Sequence, residues 1–384
     1  MDQRYDAIIV GSGPAGATAA FFLGQAGAKV LVLEKEKLPR YKTCGGAVSA
    51  RVLNQFPFSF EPVIQSKVNS LSYGVGNEMV TVPTPASSLR MVMRAEFDAH
   101  LLNHAEARIR EGVAVKAVRE EDDSITVTTI GGERIVAAYL VAADGANSIL
   151  ARSLGLRTRK VMAGAIEVEA NVPDKVMERF AGNPMLIFGD LQVGYLWIFP
   201  KSDHLSVGAG ALHPRPGELQ SVLKRVMKRY GILLHDQQRG HPLPIYSHRE
   251  RVNTSRSFLA GDAAGFVDPF TGEGIRFAIK SGRMAAEAIL AGDPLQYAAR
   301  LRGTIHRNHQ HALTWAGIFY RSPRLFFELG LRNPVLSHAL IQMLDDRIGY
   351  GRLFLRIISG FPLFLTTKKI TLPQPQEALD VQFS

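Results

Sequence analysis

The chain has 384 residues, enough for two or three packed units, and its 46% hydrophobic and 21% charged residues are the balance of a globular fold. A single cysteine, Cys44, excludes intrachain disulfides and any cysteine-based zinc site, and no run of about 18 uncharged apolar residues offers a membrane span. The net charge is +10, and residues 301–384 supply half of it with ten Lys and Arg against five Asp and Glu; no nucleic-acid recognition motif accompanies this charge, so an anionic substrate or membrane surface explains it better.

Residues 1–6 lack the basic start and apolar stretch of a signal peptide. With one unpaired thiol, the expectation is a cytoplasmic protein, in peripheral contact with the inner face of a membrane. Residues 5–10 form a short apolar run that reads as a buried parallel strand, followed by Gly11-Ser12-Gly13-Pro14-Ala15-Gly16 and a helix. In such a unit Gly11 permits the tight turn, Gly13 lets backbone amides approach a pyrophosphate, and Gly16 allows close helix–strand packing. The helix N-terminus adds unpaired N–H groups for phosphate. Residues 29–33 read as the second strand, and Glu34, 18 residues after Gly16, is placed to accept hydrogen bonds from ribose hydroxyls. The unit suits a dinucleotide and leaves NAD and FAD both open.

Arg40-Tyr41-Lys42-Thr43-Cys44-Gly45-Gly46 comes next, and its two glycines let the backbone approach a flat ring. A lone cysteine is by itself most often a small hydrophobe. Residues 61–89 and 160–212 alternate without helical periodicity and predict strands of a separate antiparallel sheet. Between them, residues 94–102 read as a helix that opens, against its dipole, on Arg94. Residues 113–143 predict a hairpin turning at Gly131-Gly132 and leading to Asp144-Gly145. On the strand 194–200, alternation puts Tyr195, Trp197 and Phe199 on one face, and Gly208 and Gly210 read as close-packing positions of an inner strand. Residues 258–260 form a strand running into Gly261-Asp262. The stretch from Val267 to Ile275 holds Pro269, Gly272 and Gly274, an amide-exposing turn before a helix. Helices then dominate, broken at Pro294, Pro323, Pro334 and Pro362. His306, His309 and His311 lack an acidic ligand pattern and are expected on a helix surface, with no metal bound. Residues 352–365 are apolar with basic punctuation and suit either an interface or a packed C-terminal helix.

The fingerprint of the first 34 residues, Asp144-Gly145 and Gly261-Asp262, in this order, resemble the flavoprotein hydroxylase and geranylgeranyl reductase superfamily. The resemblance implies FAD as cofactor, with NADPH or NADH as a visiting reductant, since no second GxGxxG unit is present. It implies an α/β Rossmann-like FAD-binding domain assembled from 1–60, 90–159 and 253–300, an antiparallel-sheet substrate domain from 61–89 and 160–252, and a helical region, 301–384. Beyond the glycines, Pro14, Ala15, Glu34 and Lys35 would hold the nucleotide half. Arg94 falls in a segment similar to Arg-x-x-Phe-Asp-x-x-Leu and would reach the flavin region. Asp262 would hold the ribityl chain, and Asp144-Gly145 would face the phosphates or the nicotinamide. Pro269, Gly272, Gly274 and Ile275 would form the flavin-ring loop, with Cys44, Gly45 and Gly46 beside the ring. The last segment resembles the Lys-x-Cys-Gly-Gly motif of geranylgeranyl reductases. Tyr195, Trp197, Phe199 and Pro200 resemble their Tyr-x-Trp-x-Phe-Pro motif, whose aromatics line an isoprenoid tunnel, whereas flavin halogenases carry Trp-x-Trp-x-Ile-Pro. The expected reaction is saturation of C=C bonds in a polyprenyl chain on a lipid, diphosphate, quinone or chlorophyll precursor, with Cys44, Tyr195 or bound water as proton donor. Alternatives are an oxygen-using monooxygenase or halogenase of the same fold, or a flavin-bound redox sensor.

Overall fold

The computed structural model describes residues 4–85, 88–233 and 237–359. Tyr5–Val10 (β1) lies in the middle of a parallel sheet, between Val30–Glu34 (β2) and the C-terminal half of the strand Arg134–Ala142. Arg108–Glu111 extends the sheet beyond β2, and Ser257–Leu259 extends it on the opposite side. Ala7, Ile8, Ile9, Leu31, Val32 and Leu33 are completely buried, as uninterrupted apolar runs are in a sheet covered on both faces. The expected hairpin is a three-stranded meander, Val115–Glu120, Ile125–Thr129 and Arg134–Ala142, turning at Gly131-Gly132.

Pro14–Gln25 (α1) begins with Pro14 in its first turn, where a missing N–H costs nothing. Backbones approach closely here. A Cβ on Gly16 would stand 1.9 Å from the carbonyl oxygen of Gly11, and one on Gly282 would stand 2.2 Å from that of Ala15. The second contact seats the helix Ile275–Leu290 directly against α1, so the start of the chain and a segment far along it share one surface.

A second sheet has seven strands in the order Arg239–Ile245, Val161–Ala170, Leu205–Leu212, Gly194–Pro200, Met185–Phe188, Ser70–Val75 and Glu78–Pro83. All pairings are antiparallel except that of Met185–Phe188 with Ser70–Val75. Alternation divides its faces. Ile166, Val168, Leu196, Ile198 and Val207 pack with Leu219, Val222, Leu223 and Val226 of the amphipathic helix Glu218–Arg229. The intervening Ala165, Glu167, Tyr195, Trp197 and Phe199 point the other way, into a cavity. Not all of 61–89 joins this sheet. Ile64–Lys67 pairs instead with Leu89–Val92, which also pairs with Ala47–Ser49, in a separate three-stranded sheet.

After residue 290 the prolines start helices as well as end them. Pro294, Pro323 and Pro334 each occupy the first turn of a new helix, and Asp293 and Asn333 cap two of them by accepting from the amides of Leu295 (2.9 Å) and Val335 (3.0 Å). Pro362 lies outside the described residues. Phe319, Phe327, Leu331 and Ile341 from this region pack on Leu71, Tyr73, Val80 and Val82 of the second sheet. The histidine expectation is corrected: only His311 is exposed. His306 and His309 are buried because their rings pack on Tyr246, Phe266 and Phe277, and each has one nitrogen in hydrogen-bond reach of Tyr246 Oη (3.2 Å) or the Phe266 carbonyl (3.0 Å). Of the stretch 352–365, the first part continues the helix Tyr350–Ser359, with Leu353 buried and Phe354 and Leu355 exposed, while 360–365 lie outside the described residues. Among the described residues no helix is long and apolar enough to cross a membrane.

Candidate active site

The two large sheets enclose a cavity of about 1300 Å³. One end is built by the turn between β1 and α1. Glu34, buried at the end of β2, accepts hydrogen bonds from the Ser12 amide (2.9 Å), the Ser12 hydroxyl (2.5 Å) and the Glu36 amide (3.1 Å), with the Arg40 guanidinium 3.6 Å away. Burial alone would raise its pKa; the bonds from Ser12 and Glu36 and the charge of Arg40 outweigh it and hold the carboxyl below its ordinary value. Arg94 forks onto Asp98 (2.8 and 2.7 Å), and Arg40 reaches the same carboxylate at 3.2 Å. Asp98, one turn on, resolves the misfit of an arginine at a helix start. A Cβ on Gly13 would lie 3.6 Å from the Arg40 guanidinium and 3.8 Å from that of Arg94. Gly13 therefore faces two cations, while the first-turn amides of α1 have no intrahelical acceptor. A glycine cradle, free amides, two guanidinium groups and a buried carboxylate fit a dinucleotide with its ribose and pyrophosphate.

Beyond this end, Asp144 accepts from the Ser148 hydroxyl (2.6 Å) and from the amides of Ile149 (2.8 Å) and Leu150 (3.2 Å). Its carboxylate is spent on capping the short helix Ile149–Ser153, while Gly145 stays on the cavity wall. Asp262 lies 3.9 Å from the Lys42 ammonium, which donates to His241 Nε2 at 2.9 Å. Burial and the Lys42 charge push the His241 pKa well below its ordinary value, so its ring is neutral and accepts.

The loop before the helix Ile275–Leu290 is held by three tyrosines. Asp268 Oδ1 accepts from the amides of Phe270 (2.8 Å) and Thr271 (3.0 Å) and from Tyr350 Oη (3.0 Å). Tyr320 Oη donates to the Phe270 carbonyl at 3.0 Å, and Tyr195 Oη donates to the Thr271 carbonyl. Gly272, Gly274 and Ile275 then face the cavity. The Tyr195 proton is engaged by the backbone, and burial among Asp268 and Glu273 raises the phenol's pKa. In this geometry Tyr195 positions the loop and does not present a proton to the cavity.

Opposite this loop, Gly45 lies against the rings of Trp197 and Phe199, close enough that a Cβ would come within 2.9 Å of Phe199. Lys201, buried just past the aromatic strand, donates to the carbonyls of Gly45 (2.7 Å) and Val92 (3.1 Å) and fixes the Cys44–Gly46 backbone. The Cys44 Sγ accepts from the Gly46 amide at 3.4 Å. Tyr195, Trp197 and Phe199 all line the cavity. The space beyond them is apolar, walled by Leu71, Leu89, Met91, Leu186 and Phe188 and, from the C-terminal helices, by Phe319, Leu340 and Leu344.

The cavity thus brings together Gly11, Gly13, Pro14, Ala15, Glu34, Lys35, Cys44, Gly45, Gly46, Arg94, Asp144, Gly145, Asp262, Gly272, Gly274, Ile275 and the three aromatics. Four expected residues are not on its wall. Gly16 packs on Gly11, and Gly261 packs on Ala15 and Ala278. Pro200 continues the strand as the next residue after the wall's Phe199, and Pro269 lies within the turn that Asp268 closes onto the amides of Phe270 and Thr271. Sequence reading missed Asp98, Glu167, Lys201 and His241. No local signal marks Glu167: with Glu169 it alternates with Ile166, Val168 and Ala170 in the strand Val161–Ala170, as a solvent-facing residue does. Among the described residues no cluster suits a metal ion.

Residues 4–194 match the family model described as an FAD binding domain. With the cradle above, the fold and site define an FAD-dependent oxidoreductase. The chain is 32% identical over 321 residues to the chloroplastic geranylgeranyl diphosphate reductase of Oryza sativa, covering 76% of this chain and 67% of the rice protein. It is 31% identical to a menaquinone reductase of Mycobacterium tuberculosis, covering 76% and 78%. Among solved structures, a geranylgeranyl bacteriochlorophyll reductase-like protein from Thermoplasma acidophilum superposes with a TM-score of 0.76 at 21% identity, covering 95% of this chain and 98% of that one. The flavin-dependent brominase Bmp2 superposes at 0.74, also at 21% identity, covering 94% and 100%. The chain belongs to the geranylgeranyl reductase family of flavoproteins.

Proposed function

We propose that this protein saturates C=C bonds of a geranylgeranyl or longer polyprenyl chain carried by a lipid, diphosphate, quinone or chlorophyll precursor. The observation that carries the proposal is the apolar chamber that opens from the dinucleotide cradle past Cys44–Gly46 and the aromatic row. Such a chamber holds a flexible hydrocarbon with its alkene beside the ring site, and offers few polar partners for a hydroxylated aromatic. FAD, when bound and reduced by a visiting NADPH or NADH, would supply the hydride. The protein's part is to press the alkene against the ring site and exclude water, because an isolated alkene is poorly polarised and positioning dominates its barrier. Cys44, the thiol on the wall, supplies the proton in this reading, since the Tyr195 hydroxyl is committed to Thr271.

The test is anaerobic. Dithionite-reduced protein is mixed with geranylgeranylated lipids and the products are followed by mass. A gain of two hydrogens per double bond is expected, whereas an unchanged panel, or an oxygenated product formed only in air, would overturn the proposal.

A further inference from the structure

Glu167 alternates with Ile166, Val168 and Ala170, and Glu169 continues the pattern, so its strand reads as one whose charged face meets water, yet this carboxyl group is buried. It is 2% exposed, its Oε2 is buried without a hydrogen-bond partner, and it stands on the cavity wall. Strand register places it. Glu167 pairs with Gly208, and Gly208 pairs with Trp197, so the three share one row across the cavity face. A Cβ on Gly208 would stand 2.1 Å from the Trp197 ring, so the row has room for the indole only because residue 208 lacks a side chain. Glu167 and Trp197 thereby become successive side chains of the row, with Cys44 on the same wall.

We infer that Glu167 is the proton reservoir for Cys44, returning a proton to the thiol each time one is given to substrate. This rests on the alkene-reductase reading above. In this step the alkene would take a hydride, with both electrons, from the reduced cofactor at one carbon. Its other carbon takes the proton of the Cys44 S–H bond, leaving a thiolate. The Glu167 O–H bond then breaks to re-form S–H, and the resulting carboxylate takes its next proton from water. The surroundings suit a group that must hold a proton and also release it. Burial pushes the Glu167 carboxyl up to about 7, with Glu169 pushing the same way, while the Lys201 ammonium, the Cys44 amide and the more distant Arg94 draw it down. Arg239 is its register partner on the other side, and Tyr41 faces it from the Cys44 loop. The Lys201 ammonium donates to two carbonyls, so it stabilises the carboxylate from a distance instead of clamping it.

The test follows alkylation of Cys44 by iodoacetamide in the FAD-loaded protein, read by intact mass from about pH 5 to about pH 9. Glu167→Gln and Glu167→Asp are compared with wild type after their visible circular dichroism shows the same bound flavin. If the two groups are coupled, the Glu167 carboxylate formed near neutrality slows alkylation, so the wild-type rise with pH is expected in two stages. The expected Gln profile has one stage and runs roughly three- to tenfold faster above neutrality, while Asp restores two. Superimposable wild-type and Gln profiles would overturn the coupling. In the anaerobic assay, E167Q is expected to reduce successive double bonds roughly tenfold or more slowly than wild type, with the first bond least affected. Wild-type rates for every bond would overturn the reservoir role. A wild-type enzyme that reduces no prenyl substrate would sink the functional reading instead, and the alkylation profile would still decide the coupling.

Discussion

Tyr195 shows how a residue type misleads until its partners are known. A tyrosine on a pocket wall reads as an acid, yet its hydroxyl donates to the Thr271 carbonyl and so braces the loop that faces the ring site. Tyr195→Phe keeps the aromatic wall and removes one brace. The expected outcome is a loss of no more than about tenfold in alkene reduction, on the order of one hydrogen bond, with unchanged folding; a collapse to background in single-turnover assays would restore the acid role. Glu34 carries a pH prediction. Its native pKa lies below the ordinary 4.5, so its stabilisation is complete above that value and is lost as pH falls through the lower native one. Glu34→Gln should therefore cost roughly 1–3 kcal/mol at neutral pH, and the gap in urea unfolding should close in acid.

At the scale of elements, the close contacts between backbones set what can change. Gly282 lets the helix Ile275–Leu290 lie on α1, and this contact carries the amides and glycines of the 268–274 loop to the cavity. A Cβ there would meet the Ala15 backbone, which cannot swing aside as a flexible side chain would. Gly282→Ala is expected to destabilise by about 1–3 kcal/mol and to release flavin, seen as rising free-flavin fluorescence. On the second sheet, alternation assigns one set of residues to the helix Glu218–Arg229 and the other to the cavity. A one-residue slip would exchange the two sets, so burial of both faces fixes the register.

Across the whole molecule, the C-terminal helices close the apolar chamber and are bound to the ring-site loop by charge. Arg276 meets Glu273 at 2.6 Å and Asp346 at 3.4 Å, while Lys280 meets Asp346 at 2.6 Å. Asp346→Asn removes the negative charge that Lys280 and the buried Arg276 share and should cost roughly 1–3 kcal/mol, with the chamber loosened; thermal unfolding and substrate KM would record both. The basic C-terminal region, with Phe354 and Leu355 exposed beside Arg352 and Arg356, motivates one further expectation. The protein should float with anionic vesicles at low salt and leave them as salt rises. Failure to float at low salt would remove the peripheral-membrane proposal.

The sequence by itself determined the local units. The β1–α1–β2 fingerprint, the proline-started helices and the period-two aromatics are each set by neighbours a few residues away, through chain geometry and steric demand. The family motifs around Cys44 and before Ile275 were legible for the same reason, as short runs of fixed spacing. Tertiary structure alone decided which of these groups keep their hydrogen-bonding capacity. Asp144 is spent on a helix cap, Tyr195 on a carbonyl and Lys201 on two, and the same folding buries His306 and His309. It also decided that Glu167 is buried on the cavity wall and that Gly16, Pro200, Gly261 and Pro269 are not part of that wall. Those outcomes depend on strand register and on helices packed from distant parts of the chain, and no local pattern encodes either.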